Sequence, residues 1–230
     1  MPKYLIAALL LIPFLATSVS LADHHAMGEK TKKAEDDGFV TLYNGKDLTG
    51  WKTEGNWVPQ DDGTLAIQPR KGESGWKRYK SYLYTEKQYE NFVFSVEYKL
   101  PKKGNSGLHF RIADPGDDWN AIDPVAKGIE CQILDSFGKP DDKMGHHDHG
   151  GIIRTQGASK NMSKPAGEWQ KMVLTCKGQS IKVELNGEQI IAIQQDKGAM
   201  KDRPLKGYIA LQDHGQLSHF RNIKIKELDQ

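Results

Sequence analysis

The chain has 230 residues, 27% of them charged and 37% hydrophobic, and its 32 Lys and Arg nearly balance its 30 Asp and Glu, for a formal net charge of +2. Both signs are interspersed along the sequence, so the composition calls for neither a nucleic-acid nor an anionic-membrane partner. The two cysteines, Cys131 and Cys176, are spaced for neither a zinc ribbon nor a redox pair.

The N-terminus reads as an export signal over residues 1–22. Lys3 supplies the positive start, Leu5 to Ala16 an apolar run, and Ser20-Leu21-Ala22 a small-x-small cleavage site. The run is short for a membrane span and no second one follows. The mature chain is therefore expected to be secreted or periplasmic, without stable membrane insertion after cleavage. Residues 23–37 carry His24-His25 and several lysines with no apolar period, which predicts a disordered polar leader. Residues 38–230 then suffice for one domain with a full core.

From Gly38 onward the rhythm is that of short strands. Phe39 to Tyr43 ends at Asn44-Gly45; Trp51 and Trp57-Val58 follow; Thr64 to Ile67 comes after Asp62-Gly63, a hairpin signal. Ser81 to Tyr84 is next, then Phe92 to Leu100, which alternates clearly and stops at Pro101. Gly107 to Ile112 and Gly128 to Leu134 are separated by an irregular loop containing Trp119. Residues 135–165 form a connection longer than ordinary, which argues for a binding loop. Trp169 to Cys176, Ser180 to Leu185, Gln189 to Gln194, Gly207 to Gln212 and Phe220 to Leu228 complete a meander with turns at Lys177-Gly178-Gln179 and Asn186-Gly187. So many short strands with close turn chemistry predict an all-β, two-sheet antiparallel sandwich. Cys131 and Cys176 fall on the apolar side of their strands, either as separate buried thiols or as a pair.

Three of these strands alternate apolar residues with an unusual polar set. Side chains in a strand point alternately to opposite faces. One face would thus carry His109 with Arg111, Glu130 with Gln132, and Gln212 with His214. If the strands share a sheet, the six make a polar floor of two histidines, two amides, an arginine and a carboxylate. Asp135 and Asp213 are expected to point away from it.

In order along the chain, Gly38-Phe39, Asn44-Gly45-Lys46-Asp47-Leu48, Gly50-Trp51, Asn105-Ser106-Gly107, His109-Phe110-Arg111, Gly128-Ile129-Glu130, Gln132 to Asp135 and Gly167-Glu168-Trp169 resemble motifs of the 3-keto-disaccharide hydrolase domain family. The closing segment, Gly207 to Gly215 with Phe220-Arg221-Asn222-Ile223, resembles it most. The resemblance implies a concanavalin A-like jelly roll whose concave sheet holds carbohydrate, and activity on glycosides oxidised at carbon 3. The chain departs from the family pattern after Asp135, at Gly145 to Gly151 and Arg154.

A 3-keto sugar has an acidified hydrogen on carbon 2, so a base there can trigger loss of the glycosidic oxygen from carbon 1, and water can then add back. Such chemistry needs a base, a group to hold the enolate oxygen and a proton for the leaving group. Glu130, His109, Arg111 and His214 are the catalytic candidates; the competing reading of Glu130 and Arg111 is a cross-strand ion pair. Gln132 and Gln212 suit neutral sugar hydroxyls. Asn105 and Ser106, in a Gly-bounded turn, and Trp119, as a stacking ring, are further substrate-binding candidates, whereas Trp51, Trp57 and Trp169 read as core aromatics. His147 and His149 could reach one divalent metal ion from an extended backbone, with Glu130 as a further ligand, against a plain solvated loop. The rival to an enzyme is a non-catalytic, lectin-like carbohydrate-binding module.

Overall fold

The structure, a computed structural model, describes residues 37–229. The export signal and all of the leader but Asp37 lie outside the described residues. In chain order the strands are β1 (Val40–Thr41), β2 (Trp51–Lys52), β3 (Trp57–Pro59), β4 (Leu65–Ile67), β5 (Leu83–Thr85), β6 (Phe92–Lys99) and β7 (Asn105–Ile112). They continue with β8 (Ile129–Leu134), β9 (Gln170–Lys177), β10 (Ser180–Leu185), β11 (Glu188–Gln194), β12 (Tyr208–Leu211) and β13 (Ser218–Glu227). One helical turn, α1 (Pro124–Lys127), precedes β8. No helix among the described residues is long and apolar enough to cross a membrane.

The strands form two antiparallel sheets: β11-β10-β9-β6-β13-β4-β3, with β1 added along β13, and β2-β5-β12-β7-β8. This is the predicted sandwich. The local chemistry that predicted the hairpins is the chemistry that makes them: Asn186 and Gly187 both take positive φ, at 53° and 89°, between β10 and β11. That pair of left-handed residues gives a two-residue turn whose twist matches the strands it joins. The core lies between the sheets, where Phe94, Val96, Tyr98 and Leu174 of one meet Leu83, Leu108, Phe110, Cys131, Ile133 and Leu211 of the other. Cys131 and Cys176 are both buried there as free thiols.

The long connection after β8 does not hang free. Gly150 N donates to Gln132 O and Gln132 N to Gly151 O, both at 2.8 Å, and Ile153 N donates to Glu130 O at 3.0 Å. These bonds cover the outer edge of β8, which would otherwise expose unpaired backbone groups. His149 holds the same segment from within: it is fully buried, its Nε2 meets the Tyr98 hydroxyl, and its Nδ1 lies 2.9 Å from Ser163 Oγ. Asp135 accepts the Lys103 N–H at 2.8 Å and so ties the loop to the turn before β7. Arg221 and Asn222 grip Glu97 at 2.8 and 2.9 Å on the other sheet. Trp51 and Trp57 are core residues, but Trp169 is only half-buried, with the Arg221 guanidinium 4.0 Å from its ring centre.

Candidate functional site

The three polar strands do share a sheet, in the order β12-β7-β8, and their register sets two rows across its outer face. In the first row Tyr84 faces Ala210, Ala210 faces His109, and His109 faces Glu130. The second row runs from Tyr82 through Gln212 and Gly107 to Gln132: Gln212 N donates to Gly107 O at 2.8 Å, Gly107 pairs with Gln132, and Gln212 Nε2 donates to the Tyr82 hydroxyl at 2.8 Å. The Tyr82 hydroxyl in turn donates to Trp76 O at 2.6 Å.

Glu130 stands where the rows meet. Its Oε1 is 3.6 Å from His109 Nε2 and 3.4 Å from Gln212 Nε2. Gly107 makes the space: a Cβ built there would lie 2.5 Å from Glu130 Oε1. His109 is wholly buried beneath the carboxylate. Burial holds its pKa below the ordinary histidine value, and neighbouring Glu130, with the Pro124 carbonyl, offsets this only in part. The imidazole is thus neutral at physiological pH and packs beneath Glu130, its Nε2 3.4 Å from Gln212 Nε2. His214, half-buried just past the end of β12, is also held low, first by burial.

Glu130, Gln132, Gln212, His214, Asn105 and His147 all line one cavity of about 280 Å³. Asn105 lines the cavity although its Oδ1 is buried and has no partner among the described residues. The cavity has two further polar or aromatic walls that parity reasoning missed, Trp76 and Arg154. Trp76, 40% exposed at the rim, comes from the segment before β5; Arg154 comes from the edge-covering loop, at a φ of 58°. Gly75 beside Trp76, and the departure already noted at Arg154, were the available signals.

Several expected site residues lie elsewhere. Arg111 is not on the floor. Its φ is +53°, and the pairing of β7 with β12 slips between Tyr208 and Ala210, so a bulge interrupts the alternation. A bulged residue reverses the faces that follow it. Ile112 therefore joins Tyr82, Tyr84 and Ala210 on the outer face, while Arg111 turns inward, fully buried, to the Gln195 side chain and, at 2.6 Å, to Gly178 O. The cross-strand ion pair with Glu130 is absent for the same reason. Ser106 lies in β7 rather than in a turn, points to the inner side and donates to Gln212 O at 2.8 Å. Trp119 stands against Tyr84, its ring centre 4.9 Å away, and takes no part in lining the cavity. Asp213 is set aside as expected, buried in an ion pair with Arg78 at 3.1 Å.

The proposed pairing of His147 and His149 on one ion is not what the backbone produces. His147 is exposed at the cavity, whereas His149 points into the core with both ring nitrogens engaged, its pKa pushed down to about 3 by burial. Among the described residues no three His, Cys, Asp or Glu side chains converge as a metal-binding set.

A family model described as the 3-keto-alpha-glucoside-1,2-lyase-like domain matches residues 38–226. A 3-keto-disaccharide hydrolase of Bacteroides thetaiotaomicron is 27% identical over an alignment that covers 84% of this chain and 79% of that protein. The crystal structure of a candidate glycosyl hydrolase from Parabacteroides distasonis superposes with a TM-score of 0.69 at 25% identity, covering 86% of this chain and 98% of that one. A carbohydrate binding module of Bacillus subtilis, at 13% identity and a TM-score of 0.52 over 77% of this chain and 96% of its own, shares the fold alone.

Proposed function

We propose, from the premise that this chain belongs to the 3-keto-alpha-glucoside-1,2-lyase-like domain family, that it cleaves glycosides oxidised at carbon 3, with Glu130 as the base. The observation that carries this reading is the Glu130 carboxylate at the floor of the cavity, set over Gly107 and between His109 and Gln212. Glu130 takes the proton from carbon 2, and the electron pair left behind is delocalised onto the carbon 3 oxygen. The carbon 1 to oxygen bond then breaks, the carbon 1 to carbon 2 double bond forms, and the proton held by Glu130 passes to the leaving oxygen, which restores the carboxylate. Water adding its hydroxyl to carbon 1 and its proton to carbon 2 completes hydrolysis.

Arg154, the guanidinium that lines this cavity, replaces Arg111 as the group to hold the enolate oxygen. Placed where charge develops, such a cation lowers the barrier more than it tightens ground-state binding. Gln132, Gln212 and Asn105 suit the neutral hydroxyls, Trp76 offers a ring face to the pyranose, and His147 or His214 supplies an N–H to the leaving oxygen. The reading is tested by incubating purified protein with 3-keto-trehalose and with trehalose. Release of sugar from the oxidised compound alone is expected, with the Glu130→Gln variant slower by about 10² to 10⁴-fold. Cleavage of trehalose alone would overturn it. Sugar binding without turnover would favour the lectin-like alternative.

The apolar run and cleavage pattern of residues 1–22 support export, which cell fractionation with and without those residues tests. Retention of the full-length chain in the cytoplasm would refute it.

A further inference from the structure

The cavity does not end at Glu130. Val125, Glu130, Ile153 and Arg154 also line a second, much smaller depression of about 20 Å³, whose lining continues along β8 to Met200 and Arg203. The two depressions share these four residues, so the carboxylate stands at their junction, and their chemistries differ. The first arm carries amides, imidazoles and Trp76; beyond Glu130 and Arg154, the second carries only apolar groups and Arg203. Arg203 is fixed to the wall by its Nε donating to Gly128 O at 2.9 Å. Among the described residues, neither Arg203 nor Arg154 has an ion-pair partner.

We infer that the second arm meets the charged end of the leaving group at Arg203 and favours a leaving group that carries a carboxylate. The inference rests on the reaction proposed above, because it is the base at the junction that locates the breaking bond there. The oxidised ring, with its neutral hydroxyls, belongs with Asn105, Gln132 and Gln212 in the first arm, so the departing group extends past Ile153 towards Arg203. Two guanidiniums beside apolar walls, with Glu130 as the only carboxylate in the lining, leave a local excess of positive charge. A guanidinium offers a planar fork of donors that matches a carboxylate, and such charge-assisted bonds are stronger than neutral ones.

The test compares two 3-keto-glucosides of the same anomeric form, one of 4-hydroxybenzoate and one of 4-hydroxybenzamide, which have nearly the same shape but differ in charge. For the unaltered protein, kcat/KM is expected to favour the benzoate by about tenfold, and the preference should fall towards unity in Arg203→Gln. Cleavage of both compounds at equal rates, or a preference for the amide, would overturn the inference while leaving the proposed reaction standing. So would cleavage of 3-keto-trehalose with neither aryl compound accepted. A benzoate preference that survives Arg203→Gln would remove Arg203 from the assignment, and failure on all three oxidised compounds would take the reaction down as well. Because the comparison of the two substrates needs no variant, poor folding of Arg203→Gln would not rescue a wrong inference.

Discussion

The space above Gly107 is occupied by the carboxylate of Glu130, so that the smallest side chain in β7 and the acid diagonal to it on β8 are a matched pair. Gly107→Ala would bring a methyl group to 2.5 Å from Oε1. The obstacle is the far end of a flexible side chain, so the carboxylate swings aside and the sheet survives. Turnover of a 3-keto-glycoside is expected to fall by about 10 to 10²-fold, the scale of a displacement of about 1 Å at a reacting group. The melting temperature should move by no more than about 4 °C. A variant that unfolds, or one as active as the parent, would contradict the relationship.

Arg111 should behave as a structural residue. Its guanidinium joins the β7 bulge to Gln195 and to the Gly178 carbonyl, neither of which borders the cavity. Arg111→Met strands those acceptors, and the expected cost is about 3 kcal/mol, seen as a drop of roughly 6 to 12 °C in melting temperature. Below that temperature KM for the substrate should match the parent. A raised KM with unchanged stability would return Arg111 to the site.

That contrast marks how far the site could be read from sequence. Alternation along three strands was enough to bring His109, Glu130, Gln132 and Gln212 to one face and to keep Asp213 off it, because strand parity is a property of the backbone alone. It failed at Arg111 because one non-glycine residue at a φ of +53° reverses the count, and no local residue type announced that bulge. Trp76 and Arg154 were out of reach for another reason: they arrive from loops, where the chain has no period to extrapolate. His149 fell between the two cases. It lies two residues from His147, in a run of turns rather than the extended backbone expected, and its fate was decided by the Tyr98 hydroxyl, 51 residues away in sequence.

Both thiols should be silent in the folded protein. Cys131 and Cys176 are wholly buried and unpaired, and burial pushes the Cys176 pKa up to about 12. Since the thiolate is the reactive form, a disulfide-exchange dye should label neither cysteine in the native state and both after unfolding in denaturant. The melting temperature should be indifferent to reductant. Rapid labelling of either residue in the folded protein would show that the core opens there.

His149 should make the fold sensitive to acid. Its folded pKa of about 3 lies below the ordinary histidine value of 6.5, burial being the main cause. The unfolded chain therefore takes up a proton at this residue as the pH falls through 6.5, while the folded chain resists until about 3. Its contribution to stability is complete above 6.5 and is lost progressively between those two values. His149→Gln keeps a polar group near Tyr98 and Ser163 but cannot titrate. The variant is expected to be less stable than the parent at pH 7.5 yet to lose stability less steeply between pH 6.5 and 3, as followed by denaturant unfolding. Buried His109 remains in that variant to supply part of the slope, since its pKa too is lowered. Parallel stability curves for parent and variant would mean that His149 takes up its proton equally in the folded and unfolded chains, and the tie between the Tyr98 hydroxyl and the loop that carries Arg154 would then have to be redrawn.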